Sequence, residues 1–153
     1  MVTDAEGNVL KETSFVFNDK GDLIEDYEIA PNEGFEFKRV NEFNDKGVKI
    51  ATYIHNEDDI TVEKYFYDEN DADKIVKIIE ENANNKNTIE MEYDNNGNVI
   101  LQRIFDKNDN FDSEIIKTYD ANNNPLEVKV VSHRVKQGGA LNYALIYEYE
   151  FYN

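Results

Sequence analysis

The sequence predicts an all-β protein, an antiparallel meander of roughly 10–12 β-strands joined as hairpins. Three observations support this fold class. A short turn motif recurs about every 26 residues, apolar and polar residues alternate between the turns, and further turn candidates lie midway between them. Each repeat therefore holds two strands, and the 153 residues are predicted to form one β-repeat domain, 1–153, folded as an open or curled sheet, a barrel or a sandwich.

The recurring motif is an aromatic residue, Asp or Asn, two variable residues, and then Gly, Asp or Asn. Its five full copies start 26, 24, 26 and 26 residues apart, at Phe17, Phe43, Tyr67, Tyr93 and Tyr119. A degenerate copy starts at Thr3, and a copy at half the period starts at Phe105. The Asp or Asn accepts a backbone hydrogen bond that starts a turn, and the last position suits a positive φ. The motif predicts tight turns, closed by a bulge, with these structural residues: Asp4, Gly7, Asn18, Gly21, Asn44, Gly47, Asp68, Asp71, Asp94, Gly97, Asp106, Asp109, Asp120 and Asn123.

The segments between the turns have the alternating pattern of half-buried strands. The clearest are Ile89–Tyr93, Val99–Phe105, Leu126–Val130 and Leu145–Phe151. Midway turn candidates occur at Pro31–Gly34, Asn56–Asp59, Asn82–Asn87, the Asp106 copy and Gln137–Gly139. Because each repeat runs out and back, the full-period turns are expected at one end of the sheet and the midway turns at the other.

Two segments fit this scheme less well. Residues Asp73–Asn84 could form a short helix with Ile75, Ile78 and Ile79 on one face, but the β-branched run and the period favour a strand. Thr3 to Phe17 spans only 14 residues, which indicates a half-repeat with an edge strand.

The composition excludes several classes of protein. With 33 acidic and 16 basic residues the net charge is −17, which disfavours binding to nucleic acid phosphates. No apolar run approaches the ~18 residues of a membrane helix, so no membrane span is expected. The residues after Met1 do not have the pattern of a signal peptide. A hydrophobic fraction of 40% predicts a packed core.

The sequence predicts no catalytic residue, metal site or cofactor. There is no cysteine, and of the two histidines His133 follows Ser132 directly, so on a strand the two side chains would point to opposite faces. A calcium loop over Glu69–Glu80 has Lys74 where glycine is required, and a second over Asp106–Lys117 lacks the acidic twelfth residue. A basic cluster, His133–Lys136, is interpreted as a loop.

Aromatic residues recur at the predicted strand ends, and core packing with cross-strand pairing is their expected role. A row of exposed tyrosines would instead suit a sugar or a protein partner. The residues are Phe15, Phe17, Phe35, Phe37, Phe43, Tyr65, Phe66, Tyr67, Tyr93, Phe105, Tyr119, Tyr147 and Tyr149.

The motif resembles the YD repeat of the bacterial Rhs and teneurin families, most closely in Met91–Ile100 and Lys117–Leu126. The resemblance implies a run of β-hairpins in an extended or curling sheet, extracellular or toxin-associated, with carbohydrate or protein contacts and no chemistry of its own. The chain has too few repeats for a closed shell, so a smaller open sheet, barrel or sandwich is expected.

Two functions follow as hypotheses. The first is a non-catalytic YD-repeat-like module of an exported or cell-envelope protein that binds protein or glycan, with an exposed sheet edge that would invite homo-oligomers. The second is an intracellular, cytoplasmic immunity or inhibitor protein whose acidic surface binds a basic toxin. A hydrolase or isomerase in a barrel mouth, with His55 or His133 against carboxylates, is the third class considered.

Overall fold

The computed structural model describes residues 1–56, 59–133 and 142–150. In these residues the fold is all-β, as predicted, and contains no α-helix. Twelve described strands form one antiparallel sheet in sequence order that does not close into a barrel. They are β1 (Val2–Thr3), β2 (Val9–Phe17), β3 (Leu23–Ala30), β4 (Phe35–Phe43), β5 (Lys49–Asn56), β6 (Asp59–Asp68), β7 (Asp71–Glu81), β8 (Lys86–Tyr93), β9 (Val99–Phe105), β10 (Phe111–Tyr119), β11 (Pro125–Ser132) and β12 (Tyr143–Ile146).

Strand β7 settles the choice between helix and strand in the Asp73 region, because it is extended from Asp71 to Glu81. Its run of isoleucine and valine packs better on a pleated sheet than in a helix, where branched side chains crowd the preceding turn. The midway turn at Pro31–Glu33 is one turn of 3₁₀-helix, which ends at Gly34 with a φ of 64°.

The chain divides into two compact units. The first comprises residues 1–65 and 79–85, and the second residues 66–78 and the described part of 86–153. The single domain predicted over residues 1–153 stays a prediction.

In the first unit the strands pair in a continuous ladder. One row of directly opposed residues crosses β2 to β6 on one face, in the order Phe15, Asp26, Arg39, Ile54 and Thr61. The turns at Asn18 and Asn44 lie at the same end of this ladder, whereas the Asp4 turn joins β1 to β2 and lies at the opposite end. This agrees with the half-repeat predicted for residues Thr3 to Phe17, because one strand, not two, separates the two motif copies.

The second unit has a ladder of the same kind. A row from β8 to β12 joins Met91, Gln102, Ile115, Val130 and Tyr143. The predicted strand Leu145–Phe151 is shorter in the structure, because β12 ends at Ile146 and residues 147–150 are not in a strand. The predicted turn Gln137–Gly139 lies outside the described residues.

The expectation of a packed core is wrong. Only Ala30, Ala51, Thr52 and Thr88 are buried among the described residues. A single sheet has no second layer to cover its faces, so side chains on both faces stay in contact with water.

The aromatic residues follow the same rule. None of the thirteen aromatics expected in the core is buried, and Phe15 and Phe17 are 59% and 58% exposed. Backbone ladders and cross-strand contacts between half-covered side chains therefore stabilise this sheet in place of a core.

Candidate functional site

The candidate site is a polar concavity on one face of the first unit, here called the polar face. Strand register builds it, because Asn41 lies directly opposite Thr52, and Thr52 directly opposite Glu63. The concavity has a volume of about 370 Å³. Its lining residues are Leu23, Arg39, Asn41, Lys49, Thr52, Ile54, Glu63 and Tyr65.

A chain of side-chain contacts crosses this face from β3 to β6. The Asn41 amide Nδ2 donates to the Leu23 carbonyl at 3.0 Å, and the Thr52 hydroxyl donates to Asn41 Oδ1 at 2.9 Å. The Tyr65 hydroxyl lies 3.0 Å from Thr52 Oγ1 and also contacts the Glu63 carboxylate. Four strands are thus linked through the buried Thr52, while Asn41, Glu63 and Tyr65 are half-buried.

This row of side chains has more oxygen–oxygen contacts than hydroxyl protons to fill them. The Thr52 and Tyr65 hydroxyls have one proton each. They share three oxygen–oxygen contacts, to Asn41, to each other and to Glu63. While Glu63 is a carboxylate, at most two of these contacts are hydrogen bonds at one time.

Two cations border the same concavity. The Lys49 ammonium lies 4.5 Å from the centre of the Tyr65 ring, and the Arg39 guanidinium lies 5.3 Å from the centre of Phe37. Arg39 also faces Asp26, with 3.8 Å between Nη1 and Oδ1. That Asp26 oxygen is buried and has no hydrogen-bond partner. The site therefore combines cationic donors, carboxylate acceptors and neutral polar groups, which is suited to binding.

The predicted turn residues form a second, repeated arrangement. In six turns one Oδ1 atom accepts the backbone N–H groups two and four residues further on, at 2.8–3.0 Å. The residues that supply this atom are Asp4, Asn18, Asn44, Asp94, Asp106 and Asp120. The last motif position has a positive φ in each of these turns, at Gly7, Gly21, Gly47, Gly97, Asp109 and Asn123.

The turn between β6 and β7 differs from the other six. Asp68 Oδ1 accepts the Asn70 N–H at 2.8 Å, but only Glu69 and Asn70 separate the two strands. Asp71 is therefore the first residue of β7, and its φ is not positive.

In three of these turns an asparagine side chain donates a further hydrogen bond to the turn carboxylate. The amide of Asn8 donates to Asp4, that of Asn98 to Asp94 and that of Asn124 to Asp120, at 2.8–3.0 Å. These amides, followed by the backbone N–H groups, hold the pKa of Asp4, Asp94 and Asp120 below its ordinary value.

Two tyrosines of the motif, Tyr93 and Tyr119, and Tyr149 outside it have a structural role that the sequence did not reveal. The Tyr119 hydroxyl donates to the Val99 carbonyl at 2.9 Å, and the Tyr93 and Tyr149 hydroxyls donate to the carbonyls of Ile75 and Pro125. Val99 and Pro125 are the first residues of β9 and β11, whereas Ile75 lies within β7. In the first unit, where phenylalanine takes this motif position, Asn41 makes the equivalent bond to Leu23. Partial burial raises the pKa of Tyr93 and Tyr119.

The remaining candidate residues are dispersed. His133 lies beside Phe111 and 3.8 Å from a Glu114 carboxylate oxygen, and His55 lies on β5 opposite Lys38 and Ile60. The rest of the basic cluster, residues 134–136, lies outside the described residues. Both calcium-like segments consist of turns and strands, and in the described part of the chain no group of three or more His, Asp or Glu side chains is placed to hold a metal ion.

Comparison with known proteins adds no relative. No protein-family model matches the chain, and no curated protein matches it in sequence. Among the described residues, no helix has the length and apolar character needed to cross a membrane.

Proposed function

We propose that this protein is a non-catalytic β-repeat module, YD-repeat-like, that binds a glycan through the polar face of its first unit. The observation that carries the proposal is the polar concavity above the row of side-chain contacts from Leu23 to Glu63. An amide, a carboxylate, a phenol and two cations line this concavity. Sugars match such a surface because their hydroxyls both donate and accept hydrogen bonds. The resemblance of the turn motif to YD repeats supports the same function and an exported or cell-envelope location.

The proposal is tested with an array of defined oligosaccharides, followed by NMR titration of the best binder. Tyr65→Phe is expected to weaken binding about tenfold, which corresponds to about 1.4 kcal/mol, because it removes one hydroxyl from the site. Tyr53→Phe is the matched control. Tyr53 lies next to Thr52 in β5, on the opposite face, and its hydroxyl also contacts a glutamate, Glu42, at 2.9 Å.

Two results would contradict the proposal. One is the absence of any glycan binding at millimolar concentration. The other is binding that Tyr53→Phe and Tyr65→Phe weaken equally, because the ligand would then not distinguish the polar face from the opposite face.

A second candidate function is a cytoplasmic immunity or inhibitor protein that binds a basic toxin. The net charge of −17 favours it, because such a field accelerates association with a cationic partner. The natural gene separates the two functions. A neighbouring gene for a basic toxin would favour the inhibitor, whereas a secretion signal on the full protein would favour the exported module.

A further inference from the structure

The outer edge of β2 is an open strand edge in the first unit. Its only described neighbour on that side is β1, which pairs Val2 with Lys11 and Thr3 with Val9. Beyond Lys11, β2 continues for six residues to Phe17, paired on its other side with β3. Proteins usually protect such an edge with charges, proline or a bulge, because it can pair with another strand.

The backbone groups that face this edge follow from the turn. The Asn18 N–H donates to Asp22 across the hairpin, toward β3. Because backbone groups alternate in direction along a strand, the N–H and C=O groups of Thr13, Phe15 and Phe17 point to the outer edge.

The side chains on this stretch have none of the usual protection. Residues 13–17, Thr-Ser-Phe-Val-Phe, have no charge, proline or glycine and a high β-propensity. All five are exposed, with Phe15, Val16 and Phe17 at 59%, 45% and 58%. The composition is that of a strand that normally has a neighbour.

We propose that β2 pairs antiparallel with β2 of a second copy, about a two-fold axis through Phe15. In this register Phe15 lies opposite Phe15 of the second copy, and Thr13 lies opposite Phe17 of the second copy. All three outward-facing residues then form hydrogen-bonded pairs, with roughly six backbone hydrogen bonds in total. Other registers leave at least one of these residues without a partner.

The charges next to the paired stretch are compatible with this register. Glu12 faces the neutral Asn18 of the other copy. Ser14 faces Val16 on the opposite face, so no like charges meet along the interface. The charge of −17 on each copy opposes association at long range. Salt screens this repulsion, so the dimerisation constant is expected to rise with salt concentration.

The chain contains no cysteine, so single cysteines report the register directly. Opposed residues in a hydrogen-bonded antiparallel pair have Cα atoms about 5.5 Å apart, within disulfide range. Phe15→Cys is expected to form a covalent dimer rapidly under mild oxidation. Phe17→Cys, on the same strand, faces Thr13 in the dimer and is expected to crosslink at least tenfold more slowly.

Sedimentation equilibrium of the unmodified chain accompanies the crosslinking. A monomer–dimer equilibrium that shifts toward dimer between low and moderate salt is expected. Phe15→Lys is expected to abolish it, whereas Phe35→Lys, which removes an exposed phenylalanine from the inner strand β4, is expected to leave it unchanged. A monomer at every concentration, or equal crosslinking at positions 15 and 17, would overturn the proposal. Circular dichroism of each variant identifies any that does not fold.

Discussion

At the scale of single residues, one side-chain oxygen organises each turn. In the Asp94 turn, Oδ1 accepts two backbone N–H groups, and the Gly97 N–H closes the turn on the Asp94 carbonyl at 3.2 Å. This closure requires Gly97 to have a φ of 86°.

Gly97→Val is therefore expected to lower the free energy of unfolding by about 1–3 kcal/mol. No atom lies within 4 Å of a Cβ added at Gly97, so the cost comes from the backbone alone. Thermal or urea denaturation measures it. Gly97→Asn is the matched control, because Asn123 occupies the same motif position with a φ of 64°. An equal loss in both variants would show that positive φ is not the cause.

The lowered pKa of the turn aspartates predicts a dependence of stability on pH. The folded state holds the pKa of Asp94 and Asp120 below the ordinary value of 3.8, so the protonated form is disfavoured in the fold. Their stabilisation is present above pH 3.8 and is lost as the pH falls through the lower folded values.

Asp94→Asn combined with Asp120→Asn keeps the accepting oxygen, as Asn18 and Asn44 do, but removes the titration. Melting temperatures from pH 6 to pH 2 are expected to fall less in this double variant than in the parent protein. Parallel curves would contradict the assignment.

At the scale of strands and hairpins, the repeat sequence was sufficient for the fold class and not for the contacts between repeats. Turn chemistry is local, so Asp94 and Gly97 identify a hairpin without knowledge of the rest of the chain. The polar face depends on strand register, which places Asn41, Thr52 and Glu63 opposite one another. Register is a property of paired strands, so the sequence of a single segment does not determine it. The expected burial of the aromatics failed for the same reason, because the number of layers is not a local property.

The contribution of the tyrosine hydrogen bond between repeats to stability is testable at this scale. Tyr119→Phe removes the hydroxyl that bonds to Val99 and is expected to cost about 1 kcal/mol of unfolding free energy. Tyr143→Phe, an exposed tyrosine of β12 in the same unit, is the control and is expected to change stability by less than about 0.5 kcal/mol. Equal effects would remove the special role of the motif tyrosine.

At the scale of the whole molecule, the charge and the open sheet determine the behaviour. Because the net charge is −17, the acidic side chains repel one another more strongly in the folded state than in the expanded unfolded chain. Salt shortens the screening distance from about 30 Å at 0.01 M to about 10 Å at 0.1 M. The melting temperature is therefore expected to rise by a few degrees over this range. A flat or falling curve would show that the surface ion pairs, such as Lys38–Glu25 at 2.8 Å, outweigh the repulsion.

In the antiparallel meander each inner strand lies between two antiparallel neighbours. NMR cross-strand contacts of β9 are the sharpest check of this arrangement. Contacts are expected from Ile104 to Ile89 on one side and from Ile104 to Ser113 on the other. Contacts to one side alone, or helical contacts within residues 99–105, would contradict it.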